Sequence, residues 1–108
     1  MADKNQKIIY RAVSFAEWID IQKLNSRFRG IENTYEGKLF IENKEDALFF
    51  QEKFMMWDNI SYLVIEIIIN LDIYNLFSIE EADERIVLAV DRDNLAQFNQ
   101  SVISIKQI

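Results

Sequence analysis

The sequence predicts a single α+β domain with a mixed, mostly antiparallel sheet and helices packed on it. Three observations lead there. The chain has 108 residues, half of them hydrophobic, with 8 Phe, 4 Tyr and 2 Trp, enough for one core without staples. Its most apolar run, Tyr62-Leu-Val-Ile-Glu-Ile-Ile-Ile69, is rich in β-branched residues that suit a pleated surface and crowd a helix. The predicted elements follow the order β, α, β, α, β, a short helix or turn, β, α, β, spaced too unevenly for simple βαβ units.

Residues 1–6 are polar and read as a disordered segment before a domain spanning 7–108. Lys7–Val13 is a first strand. Ser14-x-x-Glu17 is a capping box that opens a helix, with Phe15, Trp18 and Ile19 on its apolar side. Residues 25–38 are the least regular and hold both glycines; Arg27-Phe-Arg-Gly30 reads as a solvated loop, with an anion-facing loop as the sharper alternative. Lys38–Ile41 is a short strand. Asn43-x-x-Asp46 caps a helix expected over Glu45–Phe54, followed by a Met55–Asn59 loop.

Tyr62–Ile69 is apolar at odd and even positions alike, as in a strand covered on both faces, so it belongs inside the sheet. Glu66 interrupts it, where one face opens to solvent or a cleft holds a carboxylate. Leu71–Phe77 suits a short helix or turn. Ser78–Glu84 is an acidic surface run, Arg85–Val90 a strand, Asp93–Phe98 a helical turn capped by Asp91, and Val102–Ile105 a last strand.

Composition excludes several chemistries. The chain contains no Cys and no His, which removes disulfides, Cys/His zinc sites, thiol catalysis and every His-based triad. Two glycines seven residues apart cannot write a phosphate-binding GxGxxG or GxxxxGK[ST] loop. The acids match no EF-hand spacing, so no metal site is expected. A net charge of −6 argues against binding nucleic acid through its phosphates. Residues 1–38 carry seven bases against five acids, +2, and residues 39–108 five against thirteen, −8. The acidic part could steer a basic protein partner, with association slowed by salt. No run reaches the ~20 apolar residues of a membrane span. The polar N-terminus has no secretory pattern, and the lack of cysteine is compatible with a reducing space, so a cytoplasmic location is expected.

Polar chemistry must then come from carboxylates, Arg, Lys, Tyr and Ser. Arg11 stands out because an Arg on an apolar strand must find an anion or reach solvent. Glu84, at the mouth of the strand Arg85–Val90, is the most interesting acid.

Tyr10-Arg-Ala-Val-Ser14, Glu17, Ile19, Ile21, Phe28, Glu36-Gly-Lys-x-Phe40 and Glu45-Asp-Ala47 form a spaced pattern. It resembles the small C-terminal toxin domains of bacterial polymorphic (Rhs-type) toxins with an ADP-ribosyltransferase-like fold. The pattern spans most of residues 9–99, in short motifs. The resemblance implies an NAD-dependent transferase in which Arg11 binds NAD, Phe40 lies on the strand lining the nicotinamide pocket, and Glu84 acts on the ribose. Two departures stand out: Lys38-Leu-Phe-Ile41 lacks the usual Ser/Thr pair, and Ala82-Asp-Glu-Arg-Ile86 replaces an Asp-Gly-Ile-Gly type of turn. A second function from another class is a non-enzymatic acidic binding protein, such as an immunity protein or inhibitor of a basic toxin. Arg11 and an acid facing one cleft would favour the enzyme; a flat acidic face would favour the binder.

Overall fold

Strand β1 (Gln6–Ser14) runs antiparallel to β3 (Tyr62–Asn70) over nine residue pairs, from Gln6 opposite Asn70 to Ser14 opposite Tyr62. This long ladder frames the protein, whose computed structural model describes residues 5–29 and 38–108. The remaining strands are β2 (Lys38–Ile41), β4 (Ser78–Ala82), β5 (Arg85–Val90) and β6 (Val102–Gln107). They form one six-stranded sheet in the order β4-β5-β2-β1-β3-β6, and every neighbouring pair is antiparallel. Strand β3 is interior, bonded to β1 on one side and β6 on the other. Its odd residues Ile65, Ile67 and Ile69 are fully buried on one face, and Val64 is buried on the other.

Each face has its own core. Helix α1 (Phe15–Lys23) and helix α3 (Leu95–Ser101) supply Ile21, Leu95 and Phe98 to the larger one. There Phe28, Phe40, Phe77 and Phe98 pack ring on ring, with Phe28 edge-on to Phe40 at 5.2 Å. Helix α2 (Lys44–Asp58) covers the opposite face, where Ala47 and Phe50 meet Ala12, Ile41, Val64 and Val87.

Two caps form as the spacing predicts: Ser14 Oγ accepts from the Glu17 N–H at 3.2 Å, and Asn43 Oδ1 from the Asp46 N–H at 2.8 Å. The third does not: the Asp91 side chain makes no cap bond, and the helix expected over Asp93–Phe98 is α3, Leu95–Ser101. Three further differences from expectation stand out. The Asn5 carbonyl accepts from the Leu71 N–H and Gln6 is in β1, so the expected disordered segment does not extend to these two residues; residues 1–4 lie outside the described ones. Helix α2 runs through Met55–Asp58, expected as loop, because nothing there breaks a helix; it stops at Asn59, which takes the left-handed conformation at φ 55°. The acidic run contains β4. Asp83 and Glu84, both at positive φ, make a two-residue turn that pairs Ala82 with Arg85, so the acids lie on a hairpin.

Candidate functional site: a cavity at the β1–β2 seam

Among the described residues, strands β1 and β2 share a single registered pair, Tyr10 with Ile41. Beyond it a side chain completes the contact, as Arg11 Nη1 donates to the Leu39 carbonyl at 2.7 Å. A guanidinium can do this because it carries several donors in one plane. The same group grips Glu17 on both oxygens, Nε to Oε2 at 2.7 Å and Nη2 to Oε1 at 3.1 Å. Lys38 Nζ stands 3.7 Å from Oε1 of the same carboxylate. The anion that Arg11 needs is therefore supplied six residues downstream, in the first turn of α1. There the Glu17 side chain turns towards Arg11, while its backbone N–H takes the Ser14 cap.

The three charges sum to +1. Burial pushes the Glu17 carboxyl up, but the hydrogen bonds and charge of Arg11, together with Lys38, outweigh it and hold the group below its ordinary value. Burial pushes Lys38 down, as does the neighbouring Arg11 charge, and Glu17 only partly offsets them. Lys38 is 9% exposed, a buried cation paired at 3.7 Å with a carboxylate that Arg11 also holds.

This cluster closes one end of a cavity of about 740 Å³ on the α2 side of the sheet, a size typical of small-molecule sites. Phe50, Phe54, Trp57 and Tyr62 form an aromatic wall. Across from them lie Leu39, Ala82, Val87 and Ala89 of the sheet. Asp58, Glu80 and Asp91 also line the cavity, so acids and cations border one space. The Tyr62 hydroxyl donates to Asp58, which raises the phenol to about 12. Trp57 is 67% exposed and lies under Lys53 Nζ, 4.7 Å from the ring centre.

The residues singled out in the sequence divide. Arg11 lines the cavity. Phe40 does not: it is fully buried, because alternation along β2 points it into the aromatic core. Its link to the site is through Arg11, whose guanidinium lies 5.8 Å from the Phe40 ring centre. Phe40 is thus a support for Arg11 and has no surface to offer a cofactor. Glu84 sits exposed in the β4–β5 turn and is not among the lining residues. The acid of that region that reaches the cavity is Glu80. In the loop after α1, Arg29 pairs with Asp20 and Phe28 is buried, its backbone held both ways by Asn99 at 2.8 Å; Gly30 lies outside the described residues. Glu66 is half-buried and pairs with Lys106 at 3.5 Å.

Lys38, Glu17 and Glu80 as site members were not legible beforehand. Lys38 begins a strand that reads as apolar, and Glu17 reads as a cap. Among the described residues no group of three or more acids is placed to hold a metal, and no helix is long and apolar enough to cross a membrane. Compared with family models, curated proteins and solved structures, the chain matches none of them.

Proposed function

We propose that this chain is an ADP-ribosyltransferase-like domain that takes NAD in the cavity at the β1–β2 seam and transfers ADP-ribose to a macromolecule. The observation that carries this reading is that Arg11 and several carboxylates face one cleft. The Arg11–Glu17–Lys38 cluster retains one positive charge for a diphosphate, and the aromatic wall can stack a base or nicotinamide ring. In the reaction the bond between ribose C1′ and the nicotinamide nitrogen breaks, and neutral nicotinamide leaves with the electron pair. A nucleophile of the target then bonds to C1′ and loses its proton. A carboxylate near C1′ would stabilise the cationic centre, and Glu80, which lines the cavity, supports that role better than Glu84, which does not. The phosphates would take the remaining donors of Arg11 and the Lys38 ammonium.

Calorimetry with NAD tests this first. Binding at sub-millimolar NAD, weakened at least tenfold in Arg11→Lys, is the expected result, since lysine keeps the charge but loses the fork. No heat at millimolar NAD would remove the reading.

A second reading, an acidic binding protein for a basic partner, has its own support. Seven cations, including Lys7, Lys53, Arg85 and Lys106, are paired within the chain. Glu80, Glu81 and Glu84 are exposed, with no ion pair among the described residues. The charge surplus available to a partner is therefore negative, and its association should slow as salt rises.

A further inference from the structure

Among the described residues strand β4 is one edge of the sheet, and it is exposed from Ser78 to Glu81. Its inner side pairs with β5 through five residues, leaving its outer backbone groups facing away from the sheet. Alternation places Ile79 and Glu81 on one face, with Glu80 on the other. Ile79 is 63% exposed and Ile86, beside Glu81 on β5, is 54% exposed, so two isoleucines form an apolar step bordered by Glu81.

We infer that β4 is a docking edge for an extended, basic segment of a protein partner, which adds to the sheet as a seventh strand. Backbone hydrogen bonds would supply the attachment and side chains opposite β4 the selectivity. The register dictates the chemistry of the occupant. An antiparallel strand presents successive residues to Glu81, Glu80 and Ile79, so it should read basic, basic, aliphatic. A second copy of this chain is disfavoured, because β4 against β4 sets Glu80 and Glu81 close to their own counterparts. Acids on an edge strand also deter such self-pairing, so one pair of residues both excludes copies of the chain and selects a basic strand. The inference rests on the reading of an acidic binder for a basic partner; Glu80 also lines the cavity, whereas Ile79, Glu81 and Ile86 do not, so variants at those three residues test the edge apart from the cavity.

The test uses nitrogen-15 spectra of the whole chain with a nine-residue peptide of strand-forming threonines around a central Lys-Arg-Ile. Amide shifts should concentrate on Ser78–Ala82, with slowed hydrogen exchange there. Glu81→Lys should weaken binding at least tenfold, and Ile79→Thr, which keeps strand preference, about threefold or more. A peptide with the same side chains but N-methylated at alternate positions, prepared in both phases, keeps the charge and loses backbone pairing; one phase should fail to bind. Shifts absent from β4 at millimolar peptide, or equal binding of both methylated peptides, would overturn the proposal. A parallel NAD titration of the same sample reads the cavity separately, so either result can fail without the other.

Discussion

Arg11 and Glu17 form a bidentate ion pair across the strand-to-helix corner, with contacts of 2.7 and 3.1 Å and side chains 17% and 22% exposed. The pair ties β1 to α1 and fixes the guanidinium where it can also bond the Leu39 carbonyl. Glu17→Gln keeps the shape and removes the charge, leaving Arg11 and Lys38 side by side without compensation. The expected cost is about 1–3 kcal/mol, read as a lower urea midpoint at pH 7.

The same pair has a pH signature. The Glu17 carboxyl is depressed in the folded chain, so the unfolded chain binds more protons as pH falls. Its contribution is complete above the ordinary carboxylate value of 4.5 and is lost as pH falls through the lower, folded value. The acid limb of stability should therefore be shallower in Glu17→Gln than in the parent. Identical slopes below pH 4.5 would mean that the pair adds nothing.

Ile67 is fully buried at the middle of the β1–β3–β6 sheet, opposite Ile9 and Ile105. Ile67→Ala should cost about 2–5 kcal/mol, because the removed atoms lose burial and leave a cavity that the sheet cannot close. Urea unfolding followed by far-ultraviolet circular dichroism reads this directly.

How much of this was legible follows from how local each signal is. Strand β3 declares itself because seven of its residues agree on strand conformation, and the Ser14 and Asn43 caps each span only four residues. Strand β4 was hidden because the adjacent acids Glu80 and Glu81 mask the alternation, and its turn is made by Asp83 and Glu84 instead of a glycine. The need of Arg11 for an anion could be read from its strand, but not that Glu17 would meet it, since a capping box sends that side chain elsewhere. The cavity joins residues from β1, α1, β2, α2, β3, β4 and β5, which only the fold brings together.

Two tyrosines should titrate late. The Tyr62 hydroxyl donates to Asp58 and the Tyr74 hydroxyl to Glu42; the loss of those bonds, then burial and the carboxylate charge, raise both phenols to about 12. An ultraviolet titration should leave at least two of the four tyrosines unionised at pH 11. Tyr62→Phe and Tyr74→Phe should each remove one late step and leave the earlier absorbance change as it was.

Under the transferase reading, Glu80→Gln and Glu84→Gln should separate. Glu80 lines the cavity, so its neutral isostere should lower NAD turnover a hundredfold or more while NAD binding changes little. Glu84, exposed in the hairpin turn, should tolerate the same change within about twofold. The opposite ranking would return the ribose role to Glu84 and mean that the hairpin bends over the cavity during catalysis.

Lys38 offers the sharpest contrast between stability and function. Its ammonium is buried, lies 3.7 Å from a carboxylate already held by Arg11, and is pushed down by burial and by the Arg11 charge. A lysine depressed in the folded state binds fewer protons there than when unfolded, so its charged form opposes folding. That penalty lifts as pH rises through the folded value towards the ordinary 10.5. Lys38→Met keeps the length of the side chain and removes the charge, so at pH 7 it should leave stability unchanged or raise it by about 1 kcal/mol. Under the transferase reading, this cation serves an anion that enters the cavity. The variant should accordingly lose NAD affinity at least tenfold while its urea midpoint holds or rises. Should the midpoint fall by more than 1 kcal/mol equivalent with affinity intact, Lys38 would be a structural partner of Glu17 and the cavity would lose its second cation.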